Sequence, residues 1–230
     1  VGALIARTQQ AVAALPEEER TAGRVRLARL YLATDMAAEG LGMLRYVRGE
    51  DPGVERDANF RALLGVGNVL MGRSREALKE FDTFRLGDSQ DISLWRGLAQ
   101  VQLGDWKAAE QEFLQGEPAI GGYSVRRQLQ FRLGAARAAL EVGDMEMASR
   151  QVGAGEALVG NVEADPELLL LWGWLNERSG RDEQALAAYQ RVAASGDRKL
   201  ESEATLRLVS LQNASGSIEH DAAIDKLETL

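Results

Sequence analysis

The stretch QLGDWKAAEQEF, residues 102–113, sets a glycine, a tryptophan and two alanines ahead of a phenylalanine. A glycine at the head of such a run has two readings. It can cradle a phosphate at the start of a helix, or it can join two helices as one copy of a repeat. A phosphate loop needs G-x-x-x-x-G-K-[ST] after a strand, and LGDWKAAE has neither the second glycine nor the Lys-Ser/Thr pair. The repeat reading finds three siblings: LMGRSREALKEF (70–81), EVGDMEMASRQV (141–152) and RSGRDEQALAAY (178–189). In each, a glycine (Gly72, Gly104, Gly143, Gly180) precedes an alanine by five residues (Ala77, Ala109, Ala148, Ala185). Four residues further on stands a large apolar side chain: Phe81, Phe113, Val152 or Tyr189. The glycines are 32, 39 and 37 residues apart, the spacing of a helical repeat array.

The segments before these glycines share a second pattern. FRALLGVGNVLM (60–71), DISLWRGLAQVQL (91–103), LQFRLGAARAALEV (129–142) and ELLLLWGWLNERS (167–179) all have helical apolar spacing. Seven residues before each glycine lies a small residue: Gly65, Gly97, Ala136 and Gly173. Glycine inside a helix costs about 1 kcal/mol relative to alanine. Its recurrence at one register points to close helix–helix approach. The unit is therefore a helix with a small contact residue, a tight turn, and a second helix with an alanine contact.

This unit resembles the tetratricopeptide repeat (TPR), and the resemblance covers nearly the whole chain. An earlier copy is RLARLYLATDMAAEGLGMLRYVRGEDP (26–52), with Ala28 and Tyr31 on its first helix, Gly40 and Leu44 on its second, and Pro52 closing it. Asp35 stands there in place of the turn glycine, a position that aspartate tolerates in the left-handed conformation. A weaker last copy spans 199–230, with Gly216 as turn and Ala223 as second-helix contact. The opening VGALIARTQQAVAAL (1–15) reads as one helix, and Pro16 with Glu17, Glu18 and Glu19 suits the first turn of the next. Asp165 and Pro166 start another helix as cap and first residue.

The resemblance implies an all-α, right-handed superhelical solenoid of five to six hairpins, about thirteen helices on the arithmetic of helical pairs. The expected organisation is a single domain over 1–230. It comprises a leading helix and linker (1–19), repeats at 20–55, 56–90, 91–122, 123–164 and 165–197, and a degenerate or capping repeat at 198–230. The terminal Leu230 falls at an apolar helical site, which fits an array or cap continuing further.

Composition agrees with helix. Hydrophobic residues make up 45% of the 230, aromatics 6%, and proline occurs four times. Strands would enrich β-branched and aromatic side chains instead. The formal net charge of −8 is the wrong sign for nucleic acid, and the most basic segment, SVRRQLQFR (124–132), reads as a solvated helix face. The absence of cysteine removes disulfides and thiolate chemistry. The apolar run LLLLWGWL (168–175) is too short to insert across a membrane. The chain does not begin with methionine, which fits a region of a longer protein. An excess of arginine over lysine, with abundant alanine, suits a soluble bacterial protein of cytoplasm or periplasm.

No catalytic constellation emerges. QVGAGEALVG (151–160) looks like a glycine-rich fingerprint but falls at the end of a second helix and follows no strand. His220, the one histidine, sits in SIEHDAA and reads as an exposed helix start, without converging ligands for a metal or a triad. The expectation is a non-enzyme without cofactor or metal.

A binding surface follows from the resemblance. First helices of such repeats line a concave groove. Ten residues before each turn lie Val25, Ala62, Leu94, Leu133 and Leu170; six before lie Arg29, Val66, Leu98, Arg137 and Trp174. The family's carboxylate-gripping subclass carries lysines and asparagines on these rows, which are missing here. Apolar rows edged by arginine suit an apolar or amphipathic helix of a protein partner. The competing expectation is that these side chains only pack, or that the chain fills its own groove. Among the tryptophans, Trp174 is the expected contact residue, and Trp106, after its turn, an expected core residue. The functional expectation is a protein–protein interaction scaffold, with self-association through solenoid ends as a further possibility. The alternative is a regulatory or targeting module of a larger enzyme or cell-envelope assembly protein.

Overall fold

A computed structural model of the protein describes residues 2–83 and 86–228; the side chains of residues 223 and 225–227 are outside the description, so the contact expected at Ala223 is too, as is Leu230. Among the described residues there are thirteen α-helices and no strand. The chain divides into two compact units, residues 1–120 and 121–230.

The first unit holds α1 (Gly2–Ala13), α2 (Glu17–Ala33), α3 (Ala37–Glu50), α4 (Ala58–Leu70), α5 (Ser74–Phe81), α6 (Gln90–Leu103) and α7 (Trp106–Gly116). Helices α2 and α3, α4 and α5, and α6 and α7 form hairpins. Helix α1 packs on α2, where Ile5, Leu27 and Tyr31 make a small core of their own. The second unit holds α8 (Val125–Val142), α9 (Met145–Val159), α10 (Pro166–Arg178), α11 (Asp182–Ala193), α12 (Arg198–Ala214) and α13 (His220–Glu228). Its hairpins are α8 with α9, α10 with α11, and α12 with α13.

Each expected turn residue is left-handed: Asp35 has φ 61°, Gly72 69°, Gly104 75°, Gly143 88°, Gly180 70° and Gly216 69°. The reason is a shared bond. The amide one residue after the turn donates back to the carbonyl four residues before it. The pairs are Met36 to Tyr31 at 2.9 Å, Arg73 to Asn68 at 2.8 Å, Asp105 to Gln100 at 3.0 Å, Asp144 to Ala139 at 2.9 Å, Arg181 to Asn176 at 2.9 Å and Ser217 to Gln212 at 2.8 Å. These bonds satisfy carbonyls that the helix end would otherwise leave open. Asp105 and Asp144 then cap the next helix, their carboxylates accepting from the Ala108 and Met147 amides. Asp165 accepts from Leu168 at 3.0 Å with Pro166 as first helical residue. Pro16 differs slightly from its expected place. It lies just outside α2, which begins at Glu17.

The small residues on the first helices do a different job from the one expected. Their facing partner in three hairpins is the large residue nine after the turn, not the alanine at five. A Cβ on Gly65 would stand 2.2 Å from Phe81 Cε1, and one on Gly97 2.9 Å from Phe113 Cε1. On Gly173 it would meet Ala188 at 2.9 Å and Tyr189 at 3.0 Å. An aromatic ring fills the hairpin interior only if the opposite helix has no side chain there. The alanines Ala77, Ala109, Ala148 and Ala185 are fully buried on the second helices. In α8 and α9 the corresponding positions are Ala136 and Val152, both buried, with neither glycine nor ring.

Trp106 departs from expectation: it opens α7 and is half-buried rather than core. QVGAGEALVG lies almost wholly within α9, and His220 is exposed at the start of α13.

Candidate functional site

Within each unit the first helices of successive hairpins stand side by side. Helix α4 lies between α2 and α6, and α10 between α8 and α12. Their register follows from the turns, which place residues six and ten before each turn on related faces of these helices.

In the first unit, Val25, Ala62 and Val66 are half-buried and Arg29 is exposed. Val25 and Val66 pack against the core formed by α2, α3 and α4, each with one flank open. Leu98 retains 6% exposure, and Leu94 has none. The reason for the last is local: Leu94 fills the space above Gly116, whose Cβ would lie 2.7 Å from Leu94 Cδ2.

In the second unit the same rows are more enclosed. Leu170 is fully buried with Ala185, Tyr189 and Ala204, and Leu133 is nearly so. Arg137 extends from α8 to Glu203 on α12, its Nη1 at 2.9 and 3.0 Å from the two carboxylate oxygens. Its Nη2 lies 3.8 Å from Glu167 on α10. Arg207, one turn after Glu203 on α12, places its guanidinium over the Trp174 ring, 3.5 Å from the centroid. It also lies 3.7 Å from Glu177 and 3.6 Å from Glu203. Tyr189 donates a hydrogen bond to the same Glu177 carboxylate. Under this cover Trp174 keeps 6% exposure.

Two groups in this cluster are shifted upward. Burial pushes the Glu167 carboxyl above its usual range, although Arg137 pulls the other way. Burial, and then the hydrogen bond to Glu177, push the Tyr189 hydroxyl up. The structure thus brings Arg137 and Trp174 into one polar cluster with Glu167, Glu177, Tyr189, Glu203 and Arg207. Of the last five, the repeat pattern placed only Tyr189, as a packing residue, and none of the four charged side chains. Their signal was slight, an acid–base pair at i and i+4 on α12, because the partners come from four helices. Among the described residues, no group of three His, Cys, Asp or Glu side chains is arranged to hold a metal ion. No helix among them is long and apolar enough to cross a membrane.

No family model matches the sequence, and no curated protein matches it. Among solved structures, the chain is similar to a tetratricopeptide repeat protein from Parabacteroides merdae. The identity is 18%, the TM-score 0.54, and the match covers 97% of this chain and 90% of that one. That likeness, with six hairpins turning on left-handed residues, makes the architecture plain: the chain has the tetratricopeptide-repeat fold.

Proposed function

We propose that the protein is a non-catalytic interaction scaffold that binds an apolar or amphipathic segment of another protein along the first-helix faces. The observation that carries this reading is the row on α2 and α4, where Val25, Ala62 and Val66 are half-buried beside the exposed Arg29. A half-buried apolar strip with a charged edge suits the apolar face of a helix and an acidic residue at its margin. The fold supports it as well, since each unit sets the first helices of its hairpins side by side.

Val66→Glu with Arg29→Glu tests the reading. Arg29 is exposed and Val66 is half-buried on the flank of the core, so a helicity control separates lost docking from lost folding. Proteins retrieved by the parent chain and lost by this variant, with helicity unchanged, are those that dock here. If both forms retrieve the same proteins, this face is not the docking surface. Leu98 and Leu133 are poor sites for such a test, because a charge placed on a nearly buried leucine unfolds the hairpin instead.

A further inference from the structure

Arg207 occupies a place with the chemistry of an arginine receptor. One face of its guanidinium meets the Trp174 ring, and carboxylates from two helices flank it: Glu177 on α10 and Glu203 on α12. Tyr189 donates a hydrogen bond to the Glu177 carboxylate, and Arg137 donates to Glu203. An aromatic face with flanking carboxylates selects a planar, weakly hydrated cation over a compact ammonium. Yet Arg207 fits the place imperfectly. At 3.6 and 3.7 Å its ion pairs exceed hydrogen-bond length, and its buried Nε has no hydrogen-bond partner. An unsatisfied buried donor is a standing cost that a better-placed guanidinium avoids.

We propose that Trp174, Glu177 and Glu203 form a guanidinium site filled in cis by Arg207, which is its gate. An arginine on a docking segment takes the same place once Arg207 swings out. Because Arg207 is tethered, its effective concentration in the site is on the order of millimolar or higher. A free cation therefore does not displace it, whereas a segment that also gains contacts on α8 and α10 of the same unit does. The docking segment rests on the interaction reading above; the site itself does not.

The test uses the full chain with Trp95, Trp106 and Trp172 changed to Phe, so that fluorescence reports Trp174 alone. In this chain acrylamide quenches the ring weakly. With Arg207→Ala the quenching constant rises about twofold or more as the arginine stem and head leave the ring. Ethylguanidinium at roughly millimolar concentration restores protection, matched ethylammonium does not, and adding Glu177→Gln abolishes the rescue. Circular dichroism checks folding, and Arg207→Gln serves with the same expectations if the alanine variant does not fold. Unchanged quenching without Arg207, absent rescue, or equal rescue by ethylammonium overturns the proposal. None of these outcomes touches the interaction reading, which is tested on residues 29 and 66.

Discussion

The ring of Phe81 occupies the space that any side chain on Gly65 would need: a Cβ there would stand 2.2 Å from Phe81 Cε1. Helix α4 accepts the propensity cost of glycine so that the α5 ring can reach the hairpin interior, where it is fully buried. Two opposite substitution outcomes follow from that arrangement. Gly65→Ala should destabilise by about 1–3 kcal/mol, since the rigid ring must move. Gly42→Ala on α3, which meets nothing within 4 Å, should instead stabilise by about 0.5–1 kcal/mol. Urea unfolding of the two variants against the parent chain checks both signs, and Gly65→Ala with Phe81→Leu should recover part of the loss.

Gly104 tests the turn rather than the packing. Its Cβ would have ample room, the nearest atom being Trp106 Cζ2 at 3.9 Å, so its φ of 75° is what excludes a side chain. Gly104→Ala should therefore cost about 1–2 kcal/mol, and Gly104→Asn less, because asparagine visits this conformation more readily. Thermal melts of both variants measure the difference.

Arg137 and Glu203 lie 66 residues apart in sequence and join α8 to α12. Their side chains keep only 15% and 23% exposure, so solvent screens the pair incompletely. A double-mutant cycle with Arg137→Met and Glu203→Gln should yield a coupling of about 0.5–3 kcal/mol, reduced at high salt. Denaturant titrations at low and high sodium chloride provide that comparison.

Glu167 provides a pH signature with a definite sign. Burial raises its pKa in the folded chain above the ordinary 4.5, so the folded state holds the proton more tightly than the unfolded one. The contribution of Glu167 to stability is thus undiminished below 4.5 and falls as pH rises from there through the raised value. Glu167→Gln removes this penalty. The variant should melt higher than the parent near neutral pH, and the gap should close toward pH 4; melts across that range decide it.

The repeat was legible because its determinants are local. A left-handed turn residue, a back-donating amide and a small residue facing a ring recur at fixed offsets, so Gly72, Gly104, Gly143 and Gly180 could be placed by counting. Asp35 could be placed too, since its left-handed φ is a property of one residue and its immediate neighbours. The rows six and ten before the turn were countable in the same way, but their accessibility was not. Leu94 disappears beneath α7 because Gly116 lets the two helices close, while Val25 and Val66 keep an open flank.

The sequence by itself therefore determined where the turns fall and which helices pair. Only the tertiary structure decided which side chains reach solvent and which charges meet. Arg137 finds Glu203, and Arg207 covers Trp174, because α8, α10 and α12 come together in space. Long charged side chains choose partners by distance and dielectric, and sequence spacing carries neither across separate helices.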